Sequence, residues 1–278
     1  LAETSIPVGS PTTISSSPAE RSTQCASCGS SSAASSHAPD VRPRGSAARH
    51  AWRDDPPGSD VGDFNDRMVG VILAAGKGAR MYPFSERSPK PILPILNRPL
   101  LAHQIEVMRD CGIRDIHIVV GHLGYQVAGA FGDGSSYGVR IRFVEQESTL
   151  GLAHAVGALE SRIQLPFLLM LGDIYFHLKA PLAPICEEVL SGAVNANLVS
   201  MYEPDPEMVR RNFVIQADEQ GRVHRVIEKP RYVNSQLKGC GLYVFDPHIF
   251  DAIRRTPRTA MRDEYEITDS IQILINDG

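Results

Sequence analysis

No stretch of this sequence gathers Lys and Arg into a dense block, and the formal net charge is -4. Non-specific nucleic-acid binding depends on neutralising phosphates, so such a surface argues against it. A single nucleotide needs only a few cations in one cleft and is not excluded. No apolar run approaches the roughly 20 residues of a membrane-spanning helix. Cysteines are few and scattered: Cys25, Cys28, Cys111, Cys186 and Cys240 are odd in number and form no disulfide framework. Cys25-Ala-Ser-Cys28 has metal or redox spacing but no second pair, so it reads as coincidence. A reducing, cytoplasmic setting is the expectation.

Large apolar residues are also scarce from Leu1 to about Arg67, where Ser, Ala, Pro, Gly and Thr dominate. Such a stretch cannot bury enough surface to offset the entropy of ordering it, so residues 1–67 read as a disordered low-complexity tail. Its Ser and Arg suit a transit peptide, but Glu3, Glu20, Asp40, Asp54 and Asp55 count against that, and the chain begins without Met. Residues 68–278 remain for a folded domain, about two hundred residues and enough for an ample core.

There the pattern changes. Val69 to Ala75 is a continuous apolar run ending in glycines, as a strand buried on both faces reads. Leu101, Ile105 and Met108 recur at helical spacing, and Gly112 supplies a stop. Further strands are expected at Asp115–Val120, Val139–Val144 and Phe167–Leu171, with helices at Gly124–Phe131 and Gly151–Ser161. Strand-like runs follow at Asn197–Tyr202, Phe213–Gln216, Val223–Ile227 and Leu242–Phe245. This alternation implies an α/β, three-layer αβα fold with a doubly wound, mostly parallel sheet. Ligands of such sheets sit beyond the carboxyl ends of the strands, which points to the loops at Gly76, Gln146 and Asp173.

The most informative segment is Leu73-Ala-Ala-Gly-Lys-Gly-Ala-Arg-Met-Tyr-Pro-Phe84, followed by Ser88-Pro-Lys90-Pro-Ile-Leu-Pro-Ile95. A glycine-rich loop after a strand lets backbone amides approach phosphate oxygens. It is no P-loop, because Gly76-Lys77-Gly78 lacks the spacing and the hydroxyl, and Met81 spoils the dinucleotide pattern. Glycines alone mark a tight turn equally well. Two spaced cations add specificity: Arg80 directly after the loop, and Lys90 between Pro89 and Pro91. Displacement of pyrophosphate from a triphosphate needs such rigidly held charge. Asp173, at the end of an apolar strand, suits a hard cation as well as it suits a turn. Lys229, before Pro230, is expected to be held extended, and Thr268 or Asp269 to cap the closing helix. His103, His117 and His154 show no partner pattern and read as ordinary structural histidines.

With these residues the sequence resembles the sugar-1-phosphate nucleotidyltransferase family, whose signature is a Leu-Ala-(Gly/Ala)-Gly-x-Gly-(Thr/Ser)-Arg loop followed by Lys-Pro-x-x-Pro. The resemblance runs from about Val69 to Gly278 and implies the Rossmann-like nucleotide-diphospho-sugar transferase fold. It implies that the backbone of Leu73, Ala75, Gly76 and Gly78 holds the nucleotide, and that Gln146 and Gly151, in Gln146-Glu-Ser-Thr-Leu-Gly-Leu-Ala153, read its base. It further implies that Asp173 of Leu171-Gly-Asp173 binds magnesium (Mg2+). In Glu228-Lys229-Pro230 it implies that Glu228 meets sugar hydroxyls and Lys229 the sugar phosphate. Gly241 opens a matching later strand, Gly241-Leu-Tyr-Val-Phe, and is carried over as substrate-binding. Arg80 and Lys90 would stabilise the transferring and leaving phosphates. The implied partners are a nucleoside triphosphate, dTTP first and UTP close behind, and a sugar 1-phosphate, glucose first. A homo-oligomer stays open.

Ala75 and Ala79 stand in place of a Gly and of a Thr or Ser, and Asn212-Phe213-Val in place of an aromatic-Gly-Val that touches the sugar. A second magnesium-binding Asp is expected beyond Gly278, so the carboxyl-terminal part of the domain is expected to be missing. Two alternatives stay open: the N-acetylglucosamine- or mannose-1-phosphate half of a bifunctional enzyme, and a non-catalytic nucleotide-binding relative.

Overall fold

The computed structural model describes residues 12–14, 64–260 and 263–278. Two compact units share the chain, Leu1–Ser17 with Val61–Gly278 and Pro18–Asp60, and the described residues belong to the first. Most of the stretch read as a tail, with Cys25 and Cys28, lies outside the described residues. Two parts of it correct that reading. Thr12–Ile14 is a short strand, β1. The packed region also begins before Met68, at Phe64, whose ring is 0% exposed and whose carbonyl accepts from the Arg67 and Met68 amides.

The remaining strands are β2 (Val69–Ala74), β3 (Pro94–Ile95), β4 (Arg98–Pro99), β5 (Asp115–Val120), β6 (Arg140–Glu145), β7 (Phe167–Leu171), β8 (Ala196–Tyr202), β9 (Phe213–Ala217), β10 (Val223–Glu228) and β11 (Leu237–Phe245). The helices are α1 (Leu100–Asp110), α2 (Gly124–Phe131), α3 (Leu152–Gly157), α4 (Ala183–Leu190), α5 (Pro206–Arg210), α6 (Ile249–Arg255) and α7 (Ile267–Asp277). The main sheet runs β1-β8-β11-β7-β2-β5-β6, with β9 and β10 attached through β11. Neighbours from β7 through β2 and β5 to β6 are parallel. The later strands join antiparallel, β11 pairing with β7, β8 and β9. The doubly wound parallel strands therefore form one side of a mixed sheet, from β7 to the edge strand β6.

Side chains alternate across this sheet with period two, and each face has its own core. Ile72, Ile116, Ile118, Leu168 and Met170 pack on the face that carries α1, α2 and α4. Val71, Leu73, Val119, Phe167 and Leu169 pack on the other, under α3, α6 and α7. This is the expected three-layer arrangement. On α1 the stripe Leu101, Ile105 and Met108 is 0% exposed, and each such side chain contributes about 1.5–3 kcal/mol of burial. Strand order fixes the place of the site: from β2 the chain moves outward to β5 and β6, then returns to β7 on the opposite side. The crevice between the carboxyl ends of β2 and β7 is the switch point where open α/β sheets bind ligands.

Among the buried polar groups one is a histidine of the parallel sheet. His117 of β5 is 3% exposed, and its Nε2 lies 3.3 Å from a guanidinium nitrogen of Arg142, which also pairs with Asp115. Burial lowers its pKa, against the opposing pull of Asp115. The unfolded chain therefore takes up this proton first as pH falls. Stability is full above the unfolded value of about 6.5 and declines as pH drops through the lower folded value. His117→Gln is expected to flatten the acid side of the melting-temperature profile; an unchanged slope would show that other groups set it.

Candidate active site

The glycine loop leaves β2 at Ala75 and enters a single 3-10 turn, Ala79–Met81, that carries Arg80. Gly78 stands at φ 66, and a Cβ there would come within 3.2 Å of Lys90 Cε. The aliphatic stem of Lys90 therefore crosses the loop. Lys90 starts its own 3-10 turn, Lys90–Ile92, behind an extended Pro89. Its Nζ lies 3.3 Å from Asp173 Oδ2, the two side chains being 20% and 48% exposed. Asp173 arrives from the other side of the crevice: the Gly172 amide donates to the Leu73 carbonyl at 2.9 Å, which pins the end of β7 to β2. Two residues that are 83 apart in the chain thus meet at the switch point. A half-exposed pair of this kind contributes about 0–1 kcal/mol, too little to shape the loops around it. Its worth is the placement of a cation and a carboxylate beside the glycine loop.

A cleft of about 670 Å³ runs from Lys77 of the glycine loop past Gly121, His122 and Tyr125 to Gln146 and Glu147. Gln146 is 7% exposed and has Nε2 3.0 Å from His154 Nδ1. Its amide donates to the Val120 carbonyl at 2.8 Å, which fixes it at the end of β5. His154 in turn stacks on Tyr265, with centroids 6.2 Å apart at 23°. Gly151 closes this corner, because the Tyr265 amide donates to Leu150 O at 2.7 Å and the Tyr265 carbonyl accepts from the Ala153 amide at 3.0 Å. His154, read from sequence as ordinary, is the contact that orients Gln146.

Glu228 ends β10, and Lys229 Nζ lies 3.8 Å from its Oε1. The expectation that Lys229 is extended is corrected: its φ is 42, in the left-handed region. The cause is local, since its amide turns back to the Asn212 carbonyl at 2.9 Å and holds the end of the β9–β10 hairpin. For a residue with a Cβ this costs about 1–2 kcal/mol, strain of the kind that gathers where a side chain must be aimed. Gly241, on β11, backs the Asp173 loop: a Cβ there would meet Leu171 and Ile174 side chains at 2.7 and 2.8 Å. Phe213 turns into the core, 7% exposed and stacked on Tyr243 at 6.2 Å. The closing helix is not capped by Thr268 or Asp269: Glu266 stands at the N-cap position, its side chain making no capping bond, and Thr268 is buried in the first turn.

The sequence reading missed two residues of α1. His103 donates from Nε2 to the Ile95 carbonyl at 2.9 Å and meets the Tyr175 ring edge-on at 5.2 Å. Gln104 is 1% exposed and donates from Nε2 to the carbonyls of Leu171, 2.8 Å, and Ile174, 2.7 Å. The available signal was a polar residue within the apolar stripe of α1. Cysteines contribute no nucleophile among the described residues, because burial pushes the Cys111 thiol up to about 11 and that of Cys240 up to about 12.

Residues 69–278 match the nucleotidyl transferase family. The low-salt glycan biosynthesis nucleotidyltransferase of Haloferax volcanii is 36% identical over 213 residues, 76% of this chain and 58% of that protein. The UTP–glucose-1-phosphate uridylyltransferase of the same organism is 34% identical over 211 residues, 76% of this chain and 85% of that one. A crystal structure of a Bacillus anthracis protein assigned as a glucose-1-phosphate thymidylyltransferase, in complex with sucrose, superposes with a TM-score of 0.68 at 29% identity, covering 76% of this chain and 84% of that one. The chain thus spans little more than half the length of the first of these relatives, 58%. A glycine loop, a Lys90–Asp173 pair at the switch point and a family match over residues 69–278 agree: the chain belongs to the nucleotidyl transferase family.

Proposed function

We propose that this chain transfers a nucleotidyl group from a nucleoside triphosphate to a sugar 1-phosphate, giving a nucleotide sugar and pyrophosphate, with dTTP or UTP and glucose 1-phosphate as its substrates. The observation that carries the reading is Lys90 held 3.3 Å from Asp173 across the β2–β7 crevice, beside the glycine loop. The names of the relatives, uridylyl and thymidylyl transferases of glucose 1-phosphate, favour this substrate pair over the others.

A phosphate oxygen of the sugar 1-phosphate attacks the α-phosphorus, a new P–O bond forms, the bond to the β-phosphate oxygen breaks, and pyrophosphate leaves with the electron pair. No covalent enzyme intermediate is required, so positioning and charge placement supply most of the rate. Lys229 would hold the attacking phosphate and Glu228 the sugar hydroxyls. Arg80 and Lys90 would neutralise charge growing on the transferring and leaving phosphates, and backbone amides at Gly76 and Gly78 would approach the phosphate oxygens. Among the described residues no cluster of three or more His, Cys, Asp or Glu side chains holds a metal alone. Asp173 suits Mg2+ in its usual nucleotide mode, with one or two carboxylates, waters and phosphate oxygens as ligands. Bound there, the ion would supply further neutralisation of phosphate charge.

Gln146 and Gly151 would read the base in the cleft. Pyrophosphate release, measured for four nucleoside triphosphates crossed with the 1-phosphates of glucose, N-acetylglucosamine and mannose, tests the reading. The expected maximum is dTTP or UTP with glucose 1-phosphate; no release with any pair overturns it in favour of a nucleotide-binding relative. Gln146→Ala is expected to narrow the preference for thymine or uracil over cytosine by about tenfold, the worth of one hydrogen bond. An unaltered preference would remove Gln146 from base reading.

A further inference from the structure

We infer that Gln104 is a positioning residue that sets the distance between Asp173 and Lys90 by tethering the Asp173 loop to α1. Its carboxamide has two hydrogens on Nε2, and both are spent on carbonyls of one loop, Leu171 at 2.8 Å and Ile174 at 2.7 Å. Carbonyls only accept, so the orientation of this amide is fixed by chemistry. The two bonds straddle Gly172 and Asp173 and clamp the turn from both ends. On its other side the same helix grips the segment that carries Lys90. The Leu100 amide donates to the Leu93 carbonyl at 3.0 Å, and His103 Nε2 donates to the Ile95 carbonyl at 2.9 Å. Consecutive residues of α1 thus hold the two halves of the cation–carboxylate pair.

Two further observations fit a positioning role. Gln104 Oε1 is buried and meets no donor among the described residues, so the amide leaves an acceptor unpaired, which a well-packed apolar side chain on this stripe would not do. What the amide provides in return is the pair of donors on the Asp173 loop. The Lys90–Asp173 pair itself is half exposed and so is a consequence of the loop geometry, not its cause.

Amide hydrogen exchange of the full chain tests this without substrate or metal. Gln104→Met keeps volume and removes both donors. Exchange across residues 171–176 is expected to quicken by about tenfold or more, as when a local opening loses one to two hydrogen bonds, while α7 keeps its protection. Lys90→Met is expected to leave residues 171–176 as slow as in the unaltered chain. Unchanged exchange there in Gln104→Met overturns the inference, and so does an equal loosening of α7, which would mark a general packing role. A kinetic arm rests on the nucleotidyl-transfer reading: kcat falls on the order of a hundredfold, the cost of an ångström-scale misplacement, with little change in KM for the triphosphate. Should the unaltered chain release no pyrophosphate, that reading fails while the exchange result still decides the role of Gln104.

Discussion

Lys90→Ala is expected to lower kcat for pyrophosphate release by about a hundredfold to a thousandfold, the range for removing one preorganised charge stabiliser from a reacting centre. Several features make this the largest catalytic effect expected from the proposed reaction. Pro89 and Pro91 flank the lysine, its stem lies across Gly78, and its Nζ reaches Asp173 at 3.3 Å. In the proposed reaction a cation held this way would serve charge that grows as pyrophosphate departs, so the loss is expected to fall on kcat more than on KM. Lys90→Arg is not expected to restore the rate, because a planar fork cannot occupy the place of a compact ammonium. Stability is expected to change by about 1 kcal/mol or less, since the pair is partly solvated. Asp173→Asn is expected to cost a comparable factor, and the double variant little more than the worse single one, because the two side chains act as a unit. Steady-state kinetics paired with thermal melts separates the cases: full kcat in Lys90→Ala, or multiplicative losses in the double variant, would remove the pair from the chemistry.

The central sheet was legible because its strands are buried on both faces. The unbroken apolar run of β7, and the mostly apolar one of β5 around His117, were read with the bounds seen in the structure, and α2 had its bounds as well. The antiparallel half was harder. β11 begins at Leu237, well before the apolar run at Leu242, because Lys238, Gly239 and Gly241 interrupt the pattern while the backbone goes on pairing with β8 and β9. Lys238 can sit in that strand at 7% exposure only because Glu203 accepts from its Nζ at 3.0 Å, a partner 35 residues away that no local pattern shows. The helix expected over Gly151–Ser161 stops at Gly157, after which single turns through Leu159 carry the chain on.

The site divides in the same way. The loop, Lys90 and Asp173 were legible as residue types at spacing, and the rule that ligands gather beyond strand ends pointed to the loops at Gly76, Gln146 and Asp173. What holds them was not legible. His103 bonds to a carbonyl of β3 and Gln104 to carbonyls at and beyond the end of β7, and His154 to a side-chain amide; a carbonyl leaves no trace in the residue type that bears it. The left-handed Lys229 was hidden for a related reason: the residue before a proline is usually extended, and here a long-range bond to Asn212 overrides that preference.

Gly151 carries the second large expectation. It stands at φ 106 and ψ 171, a region of backbone space that is in essence open to glycine alone. Space forbids a side chain as well, because a Cβ would lie 2.4 Å from Tyr265 O and 2.7 Å from Tyr265 N. Those atoms are backbone, and they are already committed to Ala153 and Leu150, so relief requires moving the chain segment itself. Gly151→Ala is therefore expected to destabilise by about 2–4 kcal/mol, backbone strain added to loss of a packed contact. That corresponds to a melting temperature lower by about 4–16 °C for a domain of this size. The displacement also has a functional direction. Pushing Tyr265 away removes the ring on which His154 stacks, and His154 is what Gln146 leans on, so base selectivity should weaken along with stability. Gly151→Ala measured at a temperature where it remains folded separates the two effects: a preference among nucleoside triphosphates identical to that of the unaltered chain would mean that the Tyr265 contact serves the fold alone.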